Sequence, residues 1–429
     1  MVHELAVWLS GAYVGALSLV NGRLSFQYSA GWLGHPGARA LSCSLPLQSA
    51  AFDDHQARPF FAGLLPEGHL RRLIARQFQV SQENEFALLD HIGGECAGAV
   101  TILPPGKTPP VPGVGGIAWL DAPQLIAILD ELPRRPMLAG RDGLRLSLAG
   151  AQDKLPVVFD GERIGLPLGG QPSTHILKPP IQAVEDSVNN EGFCMMLVNA
   201  MRLLAAQVRI HTVEDRSFLL VERYDRLMDT HGQANEYGQA NEHARVVRVH
   251  QEDFCQSLGV VSEMKYQNEG GPDLSACFNL LRRMTRPSAP QVLRLLDAVI
   301  FNALVGNHDA HAKNFSLLYR DGSPVLAPMY DVLSTAVYPD LTPKMAMKLG
   351  SKYKFSEVQG RHWDQFAEGA GLARAQTRKR VLDLAHAMPA VARKLQGTEA
   401  FAGNVVIEQI VELIEQRAAL TIDRLSVQS

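Results

Sequence analysis

The sequence predicts an α/β N-terminal half followed by a mainly α-helical C-terminal half. Two observations carry this prediction. Up to about residue 225, short apolar runs alternate with Gly-rich turns, which is typical of strands. After residue 251, apolar residues recur with the period of a helix. Nucleotide-dependent transferases often bind a ligand between two such lobes, so the pattern favours a two-lobed enzyme.

The chain of 429 residues is long enough for two or three domains of about 150 residues. Three apolar runs in the first forty residues, separated by Ser-Gly and Asn-Gly turns, predict a β-meander. A helical pattern follows in residues 58–90 and a strand in 97–103. Five prolines and four glycines in residues 104–116 then indicate a linker.

We therefore predict three parts: a β-rich subdomain at 1–110, an α/β part at 111–255, and a helical part at 256–429. Strands are expected at Leu144–Ser147, Leu155–Phe159, His175–Lys178 and Ser217–Arg223. Helices are expected at Pro123–Leu132, from about Asn190, at Gln251–Leu258, Leu274–Met284 and Pro290–Gly306, and from Trp363 onward. A polar duplication within 232–242 has no apolar face, which predicts a solvated hairpin extension.

Charge and cysteine content narrow the class. With 41 basic and 44 acidic side chains the net charge is −3, which excludes a polycationic coat for nucleic acid. The five cysteines are scattered without a CxxC pair, which is typical of reduced thiols in a cytoplasm. The apolar N-terminus lacks a cationic region, and no purely apolar run reaches the roughly 18 residues of a membrane span. We expect a cytoplasmic protein with no membrane partner.

The sharpest motif is Gly306–Ser316, followed by Tyr330-Asp331. In a protein-kinase catalytic loop an Asp accepts the proton of the substrate hydroxyl, and an Asn five positions later ligates Mg²⁺. Asp309 and Asn314 have that spacing, and Asp331 lies where a second metal-binding Asp is expected. The alternative is an ordinary polar helix end in which His and Asn act as caps. A zinc site at His308 and His311 is less favoured because no third soft ligand follows at the usual spacing.

A second motif contains small residues next to a predicted strand, Ser147–Lys154. Successive backbone N–H groups in such a turn can point at phosphate oxygens, although an ordinary turn has the same pattern. Lys178 follows about thirty residues later on a short strand, where a lysine could bridge two phosphates of a nucleotide. The alternative for Lys178 is a surface lysine that ends a strand before two prolines.

Two further features complete the set. Glu191, near the start of a helix, could interact with the helix dipole or pair with Lys178. The apolar strand that ends at Glu222–Tyr224 could be an inter-lobe hinge that reads adenine with backbone groups, or an edge strand. The motifs occur in the order phosphate loop, lysine strand, hinge, catalytic loop and metal Asp. This order favours a kinase more strongly than any single motif does.

Taken together, these residues resemble the HipA toxins, serine/threonine kinases of bacterial toxin–antitoxin modules that are distantly related to eukaryotic protein and phosphoinositide kinases. The matching stretches are Leu41–Leu47, Phe61–Pro66, Gly98–Val100, Ser147–Lys154, Thr174–Pro179, Val221–Arg226, Gln251–Cys255, Gly306–Ser316 and Tyr330–Asp331. The resemblance spans most of the chain and implies a two-lobed, protein-kinase-like HipA fold.

The resemblance also implies cofactors and roles. It makes Asp309 the catalytic base, and Asn314 and Asp331 the Mg²⁺ ligands, with His311 ordering the loop and Lys178 binding the phosphates of ATP. The backbone of the phosphate loop would hold the γ-phosphate, through Ala149, Gly150, Ala151, Gln152, Asp153 and Lys154. The segment Glu222, Arg223 and Tyr224 would meet adenine. Ser147 matches the serine that family members autophosphorylate, which expels the phosphate loop and inactivates the kinase.

The implied partners are a small HipB-type helix-turn-helix antitoxin, operator DNA reached mainly through that antitoxin, and an aminoacyl-tRNA synthetase as substrate. Glutamyl-tRNA synthetase is the target in the best-known member, and its phosphorylation stops translation and promotes dormancy. Two alternatives stay open: a non-catalytic ATP-binding co-repressor, and a small-molecule or lipid kinase. Four cations within residues 374–380 are expected to be a solvated helix face or to contact DNA phosphates in the antitoxin complex.

Overall fold

The computed structural model describes residues 3–110, 115–229, 245–320 and 323–426. The polar duplication within 232–242 lies outside these residues. The chain forms two compact units. Unit 1 comprises Met1–Pro179, His211–Glu252 and Leu318–Arg320, and unit 2 comprises Pro180–Ile210, Asp253–Leu317 and Asp321–Ser429. The three-part division at 110/111 and 255/256 stays a prediction.

The strands are β1 His3–Leu9, β2 Ala12–Val20, β3 Arg23–Tyr28, β4 Val100–Leu103, β5 Ile117–Trp119, β6 Leu155–Phe159, β7 Ile164–Pro167, β8 His175–Lys178, β9 Val208–Val213, β10 Arg216–Glu222, β11 Arg226–Asp229, β12 Arg245–Arg248, β13 Gln251–Asp253, β14 Ser316–Arg320, β15 Ser323–Leu326, β16 Lys344–Leu349 and β17 Lys352–Lys354. The helices are α1 Ala30–Leu33, α2 Asp54–Ala62, α3 Gly68–Gln77, α4 Glu85–Ile92, α5 Ala122–Glu131, α6 Ser187–Ala200, α7 Phe254–Leu258, α8 Leu274–Met284, α9 Ser288–Val305, α10 Gly360–Gly369, α11 Arg374–Gln396 and α12 Val405–Ser426.

Unit 1 begins with the predicted β-meander, an antiparallel sheet in the order β3-β2-β1-β4. Both hairpin turns place two consecutive residues at positive φ, Ser10-Gly11 and Asn21-Gly22. Turns of this kind match the right-handed twist of the strands they join. Helix α2 packs on β3. The largest fully buried side chains of this core are phenylalanines: Phe26, Phe52, Phe60 and Phe61.

A second, six-stranded sheet in unit 1 has the order β5-β7-β6-β8-β10-β9. Strand β8 pairs antiparallel with β6 on one side and β10 on the other. The inner residues of these strands pack with α5 in a separate apolar core. Strands β8 and β10 are both interior strands, so each has a neighbouring strand on both sides. The alternative of an edge strand for the segment before Glu222 is therefore wrong.

Two predicted elements differ from the structure. Residues 144–147 form no strand; Leu146 instead makes a single parallel bridge with Glu95, and Gly150 makes one with Pro66. The segment predicted as one helix from Gln251 is strand β13 followed by the short helix α7. Asp253 causes this break, since its side chain caps the N-terminus of α7 by accepting from the N–H of Gln256.

Unit 2 is mainly helical, with the hairpin β16–β17. Helices α11 and α12 pack on each other and on α6 and α9. Helix α9 is long and apolar enough to cross a membrane by length and composition, yet 61% of it is buried in the unit. Its two charged residues have internal partners, because Arg294 donates to Leu326 O and Asp297 pairs with Arg380. These contacts are those of a core helix.

Candidate active site

The predicted site residues fall in both units, and each group is described within its own unit. In unit 1 the phosphate loop follows Ser147, which is fully buried. The Ser147 hydroxyl donates to Leu64 O at 2.8 Å, and its N–H donates to Glu95 O at 2.9 Å. The segment that enters the loop is thus held by two hydrogen bonds, one from a side chain and one from the backbone.

The loop itself closes on Lys154, whose Nζ donates to Ala149 O at 2.7 Å. Gly150 has φ +109, and a Cβ atom there would lie 2.6 Å from that Nζ. The backbone conformation at this φ is one that glycine adopts readily and other residues rarely do. Burial raises the pKa of Asp153, and its Oδ1 is buried without a hydrogen-bond partner. The loop residues are exposed or half-buried at Ala149, Gly150, Ala151 and Gln152, but their predicted contact with phosphates stays a prediction.

Lys178 ends β8 opposite Leu219 of β10. It is only 4% exposed, so the alternative of a surface lysine is wrong. A buried lysine is rare unless a partner or ligand compensates its charge. Its position on an interior strand is consistent with the predicted phosphate contact.

The predicted hinge, residues 222–224, contains one exposed residue and one residue whose side chain and N–H are both hydrogen-bonded. Glu222 is exposed at the end of β10, whereas the side chain of Arg223 is buried and pairs with Asp225 at 2.9 Å. The N–H of Arg223 is also used, since it donates to Thr174 O. Tyr224 donates its hydroxyl to Gln251. Of the three residues, Arg223 therefore has a structural role, and an adenine would have to use backbone groups of its two neighbours.

Arg223 belongs to a buried charge network that the sequence did not reveal. Glu95 accepts from Arg223 at 3.3 Å and from Arg226 at 2.9 Å, while Arg248 donates to the carbonyls of Cys96 and Val100. Burial opposes the charges, but the guanidinium groups outweigh it and lower the pKa of Glu95. The network members are Glu95, Ser173, Arg223, Asp225, Arg226 and Arg248.

In unit 2 the catalytic loop starts where α9 ends at Gly306. This residue has φ +80, and a Cβ atom there would lie within 2.8 Å of Leu413 and Ala336. Asn307 then bonds back to Asn302, and its Oδ1 accepts from the N–H of Asp309 at 3.1 Å. The helix itself ends with Gly306 as its C-cap, and the contact of Asn307 with the N–H of Asp309 orders the backbone of the exposed Asp309.

Asn314 closes the loop. Its Oδ1 accepts from the N–H of His311 at 3.1 Å, and the N–H of His311 also donates to Asp309 O. An amide oxygen has two lone pairs, so Asn314 keeps one for a metal ion. His311 is buried, and its ring meets Tyr266 edge-on at 5.2 Å. These contacts agree with the loop-ordering role implied for His311.

His308 is a structural residue. Its Nδ1 donates to Thr342 O, and its Nε2 accepts from the guanidinium of Arg417 at 2.9 Å. Burial, and then the charge of Arg417, lowers the pKa of His308 to about 4. The ring is thus neutral at pH 7 with both nitrogens engaged, so the zinc alternative for His308 and His311 is wrong.

Asp331 follows Tyr330, whose hydroxyl is hydrogen-bonded to the catalytic loop. The hydroxyl of Tyr330 donates to Lys313 O at 2.7 Å and contacts Ser316 Oγ at 2.6 Å. Asp331 itself has φ +52, in the left-handed region that few residues other than glycine adopt. Strain of this kind is often found at functional sites, where the surrounding structure imposes it.

Two findings concern residues around the loop. Glu191 is the fifth residue of α6 and buried, so its predicted interaction with the helix dipole is wrong. Tyr266, which no motif indicated, donates its hydroxyl to Asp309 Oδ1 at 2.6 Å. It lies 43 positions earlier in the chain, and only the helix-breaking Gly270-Gly271 marks its segment as a loop.

The arrangement in unit 2 can accept a proton at an exposed carboxylate and can offer an amide and a carboxylate oxygen to a metal. Within the described residues there is no group of three or more His, Cys, Asp or Glu side chains that could hold a metal ion. Mg²⁺ is commonly bound by one or two carboxylates together with phosphate oxygens and water. Asn314 and Asp331 fit such an ion.

Comparison with known proteins shows the family to which the chain belongs. A model of the HipA N-terminal domain matches residues 5–103, and a model of the HipA-like C-terminal domain matches residues 146–392. The chain is 44% identical, over 99% of its length and 100% of the relative's, to "Putative kinase Y4mE" of Sinorhizobium fredii. It is 29% identical, over 78% of its length and 76% of the relative's, to "Serine/threonine-protein kinase toxin HipA" of Shewanella oneidensis.

Among solved structures, a chain of the Shewanella oneidensis complex of HipA, HipB and operator DNA matches with a TM-score of 0.83 and 25% identity. The match covers 99% of this chain and 98% of that chain. The predicted two-lobed, kinase-like fold is thereby confirmed. The fold defines a kinase-related protein. The chain belongs to the HipA family.

Proposed function

We propose that this protein is a serine/threonine kinase that transfers the γ-phosphate of ATP to a protein. The observation that carries the proposal is the loop in unit 2, where Tyr266 binds the exposed carboxylate of Asp309, Asn307 accepts from the N–H of Asp309, and Asn314 accepts from the N–H of His311. Kinase relatives imply ATP use. Phosphoryl transfer requires mainly positioning and charge neutralisation, which these groups and Lys178 can supply.

In this proposal Asp309 accepts the proton of the substrate hydroxyl. Asn314 and Asp331 would hold Mg²⁺, which would neutralise the phosphate charge. Lys178 and the loop of residues 149–154 bind the phosphates, and backbone groups of Glu222 and Tyr224 meet adenine. The protein would act in the cytoplasm.

The test is transfer of labelled γ-phosphate by purified protein. Asp309→Asn and Asp331→Asn should each reduce incorporation by about 10²-fold or more while leaving the fold intact. Equal incorporation by wild type and Asp309→Asn would refute the mechanism. A lipid or sugar that takes up label faster than any protein acceptor would instead support the small-molecule alternative.

We further propose that phosphorylation of Ser147 inactivates the kinase. The Ser147 hydroxyl is fully buried against Leu64 O, a place with no space for a phosphoryl group with nearly two negative charges. The segment would therefore have to leave its place, and the phosphate loop with it. Intact mass and ATP titration test this: phosphorylated wild type should lose ATP binding, whereas Ser147→Ala should retain it. Tight ATP binding by the phosphorylated form would refute the switch.

The partners we propose follow the family. The Shewanella oneidensis relative was solved with HipB and operator DNA. We propose a HipB-type antitoxin for this protein, with operator DNA bound mainly through it, and an aminoacyl-tRNA synthetase, first the glutamyl enzyme, as substrate. If operator co-repression by the complex survives Asp309→Asn while wild type transfers no phosphate, the non-catalytic co-repressor is the better account.

A further inference from the structure

Tyr266 lies in the α7–α8 loop, residues 259–273, and this loop is fastened to the catalytic loop at several points. Ser262 Oγ accepts from Lys313 Nζ at 3.1 Å, and Lys313 in turn pairs with Asp253 at 2.9 Å. Tyr266 reaches Asp309 with its hydroxyl and His311 with its ring. All of these contacts lie within unit 2.

On its other side the α7–α8 loop is fastened to β16, since Gln267 Oε1 accepts from the N–H of Lys348 at 2.7 Å. The α7–α8 loop can fold back against its own residues 264–266 only because two of its residues are glycines. Gly270 has φ +95, and a Cβ atom on Gly271 would overlap the backbone of residues 264–266. The N–H of Gly271 donates to Tyr266 O at 2.9 Å. The loop therefore holds the backbone of Tyr266 in a fixed position.

We propose that Tyr266 is a positioning residue for the catalytic base, an inference that rests on the proposed kinase function. Its hydroxyl binds Oδ1 of Asp309 and fixes the rotation of the carboxylate, so that Oδ2 faces the acceptor hydroxyl. An ionised carboxylate has about four lone-pair sites, so one bond from Tyr266 leaves it able to accept another. The residue does not contact substrate or nucleotide in this role.

Tyr266 supports the transfer of the γ-phosphoryl group from ATP to the acceptor hydroxyl. The acceptor hydroxyl oxygen forms a bond to the γ-phosphorus, and the bond from that phosphorus to the bridging oxygen of ADP breaks. The electron pair leaves with ADP, and the hydroxyl proton passes to Oδ2 of Asp309. Throughout, the proton of Tyr266 stays on its own oxygen and its hydrogen bond to Oδ1 is kept.

The test is Tyr266→Phe, which removes one oxygen and keeps the ring against His311. Tyr353→Phe, on β17 beside Lys348, is the matched control. Initial rates of label transfer from γ-labelled ATP to dephosphorylated casein, and into the chain itself, give kcat and the KM for ATP. Tyr266→Phe should lower kcat about tenfold, the value of one hydrogen bond to a charged group, with KM for ATP unchanged. The control should match wild type.

Three results would overturn the inference while leaving the kinase proposal standing. These are an unchanged kcat in Tyr266→Phe, a raised kcat, which would mean that Tyr266 competes with the acceptor for Asp309, and a raised KM for ATP with kcat unchanged. Folded wild type that transfers no label would overturn both proposals together. The two failures are thus told apart by the wild-type rate.

Discussion

Both units contain charged side chains beside a sequence motif, and these side chains differ in the fraction that is exposed to solvent. In unit 1 the side chains of Arg223 and Asp225 are 2% and 3% exposed, and both carboxylates of their network, Glu95 and Asp225, are paired with arginines. In unit 2 Asp309 is exposed, and its Oδ1 accepts from the hydroxyl of Tyr266. A charge that is fully paired inside a core stabilises an arrangement, whereas an oriented and exposed one can react.

The difference should separate stability from activity. The largest effect on stability is expected for Asp225→Asn, since Asp225 accepts from Arg223, from Arg226 and from the N–H of Gly98. Removing one partner of a buried ion pair leaves uncompensated charge and costs about 3–5 kcal/mol. Chemical denaturation should show this as a lower midpoint with label transfer falling only as the folded fraction falls. A midpoint equal to that of wild type would show that the network is not structural.

A second prediction concerns pH, through one buried histidine in each unit. Burial lowers the pKa of both His250 and His308 to about 4. Between pH 6.5 and 4 the unfolded chain binds more protons than the folded one, so stability falls as the pH falls. Each histidine adds at most about 1.4 kcal/mol per pH unit to that slope.

Denaturation at several pH values checks the pH prediction through the slope rather than through absolute stability. His308→Asn should keep the contribution of His250 and lose that of His308, and His250→Asn should do the reverse. The same slope in wild type and His308→Asn would mean that folding does not lower the pKa of His308, despite its contact with Arg417.

The smallest effect is expected at the basic stretch of α11. Each cation there has a carboxylate partner: Arg374 with Glu368, Arg378 with Asp364, Lys379 with Asp383, and Arg380 with Asp297. The pair of Lys379 is exposed and within one helix, so Lys379→Ala should change the free energy of unfolding by less than about 0.5 kcal/mol. Contact with DNA phosphates stays a prediction. A clear loss of salt dependence of operator binding in Lys379→Ala would support that contact, since each lost phosphate contact lowers the slope by about one unit.

The sequence was most informative where the evidence is local. Strands β6 and β8 and helix α8 have the bounds that their apolar patterns predict. The apolar pattern within each segment is enough to specify these elements. The motif spacing also placed Asp309 and Asn314 correctly on one short loop, whose internal bonds join residues two to five positions apart.

It was least informative where partners are distant in the chain. Arg223 reads as part of a hinge until Glu95, 128 positions earlier, is brought to it. In the sequence His308 is a candidate metal ligand. In the structure Arg417, 109 positions later, donates to its ring. Residues 144–147 were predicted to be a strand because they alternate, but their partner offers a single bridge at Glu95. Pairing of this kind depends on tertiary contacts that no periodicity records.

The central claim is that Asp309 acts in chemistry and the Arg223 network acts in structure. The most direct test measures γ-phosphate transfer and the denaturation midpoint on the same preparations of wild type, Asp309→Asn and Asp225→Asn. The account predicts that Asp309→Asn loses at least about 10²-fold in transfer at an unchanged midpoint, and that Asp225→Asn loses stability first. Transfer at the wild-type rate by folded Asp309→Asn would contradict it.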